Sequence, residues 1–197
     1  MRIPIFLSQP TPMDFKQQCF LDNFTKFLND EGLCPLTLGV TNYDRSAPLK
    51  GIRRIMLESD GLLALALKRT HIEKGAVYRK CDKKVIDDCW LTSPYCQIEP
   101  AMAFQLGLPV LILRDKDVLD EGLLEKGVIG DYMPVINMDM KEESCNYFKS
   151  EEFMTIFKQW EADVRTVAKN KVTLLNCTEK RVHSSCCANW ETALINF

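Results

Sequence analysis

The run "GLLALAL" (61–67) constrains this chain more than any other stretch. It is apolar without alternation and far shorter than the ~18–20 residues that span a membrane. A strand buried on both faces reads this way, and such strands belong to parallel sheets covered by helices on either side. "IPIFLS" (3–8) and "PVLILR" (109–114) carry the same signal, and "CPLTLGV" (34–40) and "YMPVINM" (132–138) carry it more weakly.

Helical patterns separate these runs. Thr11 and Pro12 predict a helix start, with threonine as N-cap and proline at the first position. Phe20, Phe24, Phe27 and Leu28 then share one face, and Gly32 follows as the C′ residue. Leu49, Ile52, Ile55 and Met56 predict the buried face of a second helix, with Lys50, Arg53 and Arg54 opposite. A short helix over 118–126 ends at Gly127. Phe153, Ile156, Phe157, Trp160, Val164 and Val167 give the clearest helix, 150–168, with Ser150 as N-cap. Strand and helix alternate five times, which predicts an α/β, flavodoxin-like three-layer domain on a five-stranded parallel sheet, residues 1–170. Residues 69–92 are charged and irregular and read as an insertion loop. The tail 171–197 either docks as a strand or helix or stays disordered.

Composition narrows the function classes. The chain has 197 residues, a formal net charge of −2 and no long run of one sign. A nucleic-acid partner calls for a basic face or tail, and neither is evident. The start "MRIPIFLSQP" has too short an apolar stretch for a signal peptide, so no membrane partner and a cytoplasmic location are expected. Nine cysteines at irregular spacing fit reduced thiols packed as small apolar groups. His183, Cys186, Cys187 and Cys177 lack the usual spaced cysteine pair of a zinc site, so no metal is expected.

In parallel α/β sheets ligands bind beyond the carboxyl ends of strands, beside the point where strand order reverses. That directs attention to the loops after residues 8, 40, 67 and 114. The third of these leads into "SPYCQIEPAMA" (93–103), where Glu99 stands between Ile98 and Pro100. Either a helix begins at Pro100 with Glu99 as its cap, or one begins at Ser93–Pro94 and is kinked at Pro100. In the first case Glu99 projects from a strand-end loop, and the helix N-terminus favours its ionised form. As a bare cap, it would be solvated.

Over about residues 3–168 the chain resembles the TIR (Toll/interleukin-1 receptor) domain family. The resemblance rests on "IFLSQP" as first strand, the long loop 39–48 where the family has its BB loop, "GIRRIMLESDGLLALALKRT", and "AFQLGLPVLIL". It rests above all on "SPYCQIE", similar to a Ser-x-Trp-Cys-x-x-Glu signature with Tyr95 in place of tryptophan. The 69–92 insertion and Pro100 depart from the family pattern. The resemblance implies an enzyme that cleaves NAD between nicotinamide and ribose, by hydrolysis or cyclisation to a signalling nucleotide, in prokaryotic antiviral defence. It implies Glu99 as the catalytic residue, NAD as substrate and no cofactor. A homo-oligomer or a separate effector chain is the expected protein partner. A similarly placed glutamate also occurs in nucleoside 2-deoxyribosyltransferases, and many TIR domains are non-catalytic interaction modules. Both remain alternatives.

The chemistry suits one carboxylate. Breaking an N-glycosidic bond builds positive charge on the ribose, which a carboxylate stabilises or traps. Nicotinamide leaves from an already cationic form and needs no second acid. Candidate substrate contacts are Ser8 at the end of the first strand, Asp44 on the 41–48 loop with its neighbour Arg45, Arg54 on the second helix, Ser93, and the aromatics Trp90 and Tyr95, which either stack on a base or only pack.

Overall fold

The computed structural model describes residues 2–38, 48–79, 82–130, 132–139 and 147–185, with side chains to Thr173 in the last helix. Strands β1 (Ile3–Ser8), β2 (Leu33–Leu36), β3 (Leu62–Ala66), β6 (Val110–Asp115) and β7 (Val135–Ile136) form one parallel sheet in the order β2-β1-β3-β6-β7. That order is the flavodoxin-like doubly wound arrangement, with its switch between β1 and β3.

The central strand β3 explains the three layers. Leu63, Leu65 and Leu67 face one side with Ile5, Leu7, Leu111 and Leu113. There they meet Phe20, Phe24 and Leu28 of α1 (Phe15–Asp30) and Phe153, Phe157, Trp160 and Val164 of α4 (Glu151–Ser185). Leu62, Ala64 and Ala66 face the other side, against Ile52, Ile55 and Met56 of α2 (Pro48–Glu58) and Ala103 of α3 (Tyr95–Gln105). All five residues of β3 are buried, so no alternation survives in its sequence. Gly61, just before β3, allows close approach: a Cβ there would meet Val164 Cγ2 at 2.5 Å. Trp160 Nε1 donates to Pro109 O at 3.2 Å beside it.

Several expected boundaries move. Asp14, not Thr11, caps α1: its carboxylate accepts from Gln17 N at 2.8 Å. Pro12 therefore lies in the preceding loop. Gly32 follows the C-cap Glu31 at φ +80°, as a C′ glycine should. Leu49 is half exposed, because the buried stripe of α2 begins one turn later at Gly51 and Ile52. Over 118–126 only a 3-10 turn, Gly122–Leu124, forms. The expected strand 132–138 pairs over two residues, Val135 and Ile136. Ser150 does cap α4, accepting from Phe153 N at 3.2 Å, but the helix continues to Ser185.

The largest correction concerns 69–92. It is an antiparallel ribbon, β4 (Thr70–Arg79) paired with β5 (Asp82–Leu91). Most of its described side chains are exposed, so charged residues interrupt the alternation that would announce a strand. Its base is fixed to the domain: Arg69 N donates to Leu91 O at 3.0 Å, Leu119 N to Trp90 O at 2.8 Å, and Trp90 N to Asp117 O at 3.1 Å.

Candidate active site

A cleft of about 300 Å³ opens at the carboxyl ends of β1, β2 and β3. Gln9, Pro10 and Thr11 follow β1, Leu38 follows β2, and Pro48 and Ile52 come from α2. Arg69 stands where the ribbon leaves the sheet. Ser93, Tyr95 and Glu99 come from the start of α3.

Glu99 is the fifth residue of α3, and Pro100 lies inside the same helix. The reading in which the helix begins at Pro100 is thus overturned, and the start at Ser93–Pro94 holds. Pro100 supplies no N–H to the carbonyl of Cys96, four residues back, a substitution that costs about 3 kcal/mol in a helix interior. Being inside the helix changes the surroundings of the acid. Glu99 is 7% exposed, not a solvated cap.

Burial raises its carboxyl to about 7, and the Ser8 hydroxyl works in the opposite direction. The helix N-terminus therefore does not dictate the charge state, contrary to expectation. Ser8 is itself buried at the end of β1, and its Oγ makes no hydrogen bond of good geometry. It lies near enough to favour the ionised acid without offsetting the desolvation. A neutral and an ionised Glu99 thus coexist near neutral pH.

The neighbours of Glu99 have different tasks. Cys96 is fully buried, its Sγ donates to Leu65 O at 3.5 Å, and burial pushes its thiol up to about 11. That describes an inert packed thiol, not a nucleophile. Ser93 Oγ accepts from Tyr95 N and from Arg69 Nη1, both at 3.4 Å. Ser93 is buried, whereas Tyr95 is 40% exposed at the cleft wall.

The structure therefore brings Glu99, Ser93 and Tyr95 into one cleft, with Ser8 beside the acid. Trp90 is elsewhere: half-buried on the ribbon, its ring lies 4.6 Å from that of His71 and packs partly against the α2–α3 side of the core. Arg54 lies on the exposed side of α2 and does not line the cleft. Asp44 and Arg45 fall outside the described residues, as do Cys186 and Cys187 and the side chains of Cys177 and His183. Arg69 and Gln9 were not singled out from sequence. Nothing in "LALKRT" distinguishes Arg69 from Arg53 or Arg54, since only the departure of the ribbon turns it toward the cleft.

A second ionic cluster stands beyond the ends of β3 and β6. The buried Lys68 Nζ lies 2.6 Å from Asp117 Oδ2, 3.1 Å from Asp139 Oδ1 and 4.0 Å from Asp115 Oδ1. Burial works to lower the Lys68 ammonium, but hydrogen bonds to Asp117 and Asp139 outweigh it and raise it. Burial pushes the fully buried Asp115 up to about 6. These charges are mutually engaged and tie the two strand ends together. A larger groove, about 550 Å³, runs between the ribbon and residues 119–126; none of its lining residues is buried.

No family model matches this sequence, and no curated protein matches it. Solved structures similar to this chain include the following two. One is the Clostridium botulinum CMP N-glycosidase BcmB, 14% identical, TM-score 0.46, over 74% of this chain and 97% of that one. The other is the TIR domains of the activated Roq1 resistosome recognising the pathogen effector XopQ, 11% identical, TM-score 0.39, over 85% of this chain and 84% of that one. At such identities the chemistry has to be argued from the cleft itself.

Proposed function

We propose that this protein cleaves an N-glycosidic bond to ribose, with NAD as substrate and Glu99 as the catalytic carboxylate. One observation carries the reading: a desolvated acid on the wall of an open cleft at the switch point of a parallel sheet.

The bond between the nicotinamide nitrogen and ribose C1′ breaks, and its electron pair stays on the nitrogen. The ring loses its positive charge and leaves neutral. Positive charge develops at C1′ and the ring oxygen, where the ionised Glu99 stabilises it or adds to C1′. Hydrolysis is completed when water forms the new C1′–O bond and its proton passes to solvent; where Glu99 has added to C1′, its bond to that carbon breaks in the same step and the electron pair returns to the carboxylate. In the cyclising variant a nitrogen of the adenine supplies the electron pair instead. Poor solvation strengthens the carboxylate's attraction for the developing cation. Cys96 plays no part, being buried and protonated.

The test is incubation of purified protein with NAD and mass spectrometry of the products. Nicotinamide release is expected, falling at least ~100-fold in Glu99→Gln, the usual scale for loss of a preorganised charge-stabilising group. Equal release by the variant refutes the assignment. A parallel panel of deoxynucleosides and nucleotides asks whether another base is the leaving group.

A further inference from the structure

Two adjacent cations leave the end of β3, and the fold treats them differently. Lys68 is enclosed by Asp115, Asp117 and Asp139. Arg69 forms no ion pair with any described residue. Among the described residues its one side-chain hydrogen bond runs from Nη1 to Ser93 Oγ, at a long 3.4 Å. It is exposed and lines the cleft that holds Glu99. The guanidinium is therefore not the partner of the catalytic acid.

Among the described lining residues it is the only cation, since the others are Gln9, Thr11, Ser93, Tyr95, Glu99 and apolar side chains. An arginine offers a planar fork of donors that matches phosphate oxygens two at a time. Its present partner, a hydroxyl at 3.4 Å, is easily exchanged for a charged acceptor. The start of α3, whose N-cap Pro94 supplies no side-chain hydrogen bond, adds a positive potential on the same side. The cleft so carries a carboxylate at one place and an uncommitted cation at another.

We propose that Arg69 is the phosphate anchor of this cleft, so that it selects N-ribosyl compounds bearing a 5′-phosphate over neutral nucleosides. This deepens the N-ribosyl reading and rests on it. NAD, with its ribose-bound phosphates, meets the requirement; a nicotinamide riboside does not.

Binding is tested with probes that hold no cleavable bond, ribose 5-phosphate and ribose, by titration calorimetry on wild type, Arg69→Gln, Arg69→Lys and Glu99→Gln. Wild type is expected to prefer the phosphate at least ~10-fold, and added salt to weaken it, as for a charge-assisted contact. Arg69→Gln should abolish the preference with an unchanged melting temperature. Arg69→Lys should keep part of it, and Glu99→Gln most of it. Equal affinity for the two probes, binding of neither, or a preference that survives Arg69→Gln overturns the anchor. The two readings fail separately. If the phosphate preference follows Arg69 but NAD is not cleaved, only the nicotinamide assignment falls. If NAD is cleaved with the same KM by wild type and Arg69→Gln, only the anchor falls.

Discussion

Glu99→Gln keeps the shape of the side chain and removes its charge. Burial lifts this carboxyl from 4.5 to about 7, and each pKa unit corresponds to about 1.4 kcal/mol. The folded protein thus holds the Glu99 proton more tightly than the unfolded chain does. For a raised acid the sign is fixed: the destabilising contribution is absent below about pH 4.5, grows as pH rises, and is complete above about pH 7. The ionised carboxylate should cost the fold under about 1 kcal/mol at pH 5 and about 3 kcal/mol at pH 8. Glutamine carries no such penalty, and its amide can donate to the unpartnered Ser8 Oγ. Urea unfolding followed by circular dichroism should place the variant level with wild type near pH 5. It should be up to about 3 kcal/mol more stable near pH 8, equivalent to roughly 6–12 °C in melting temperature for a chain of this size. The same variant should lose nicotinamide release. A variant less stable than wild type at pH 8, or a difference that ignores pH, would show that Glu99 is solvated or serves the helix as a structural cap.

Two further outcomes can be measured on the same material. Ser8→Ala removes the hydroxyl that favours ionised Glu99, so the acidic limb of the kcat/KM profile, expected near pH 7, should move upward; an unmoved or lowered midpoint counts against Ser8 as its partner. Phe157 is fully buried in the ring cluster that joins α4 to α1, against Phe153 of its own helix and Phe27 of α1, so Phe157→Ala should destabilise the protein by about 3–5 kcal/mol in urea unfolding. A cost below about 1 kcal/mol would mean that the cluster does not hold α4 against the sheet.

The layered fold was legible where burial repeats along the chain. "GLLALAL" announces a strand covered on both sides, and β3 is such a strand, at the centre of the sheet. The Phe153–Val164 stripe announces the helix that covers one face, and the buried residues of α4 follow it. The ribbon 70–91 was not legible, because a two-stranded element with most of its surface in solvent has little apolar periodicity to display. The length of β7 was not legible either: "YMPVINM" is apolar apart from Asn137, yet only Val135 and Ile136 pair with β6.

The sequence by itself determined the five strands of the parallel sheet and the helices α1, α2 and α4 that cover it, and it marked Glu99 as an acid in an apolar setting. It could do so because secondary structure and layer burial leave local, periodic traces. Only the tertiary structure decided that Glu99 lies within α3 and not at its cap, that its carboxyl rises to about 7, and that Arg69 shares its cleft while Lys68 next door is consumed by aspartates. A charge state depends on how much water surrounds a group and on which charges approach it through space. Those neighbours come from β1, the ribbon and α3, up to 91 positions apart in the chain between Ser8 and Glu99, and nothing in a local stretch of sequence records their meeting.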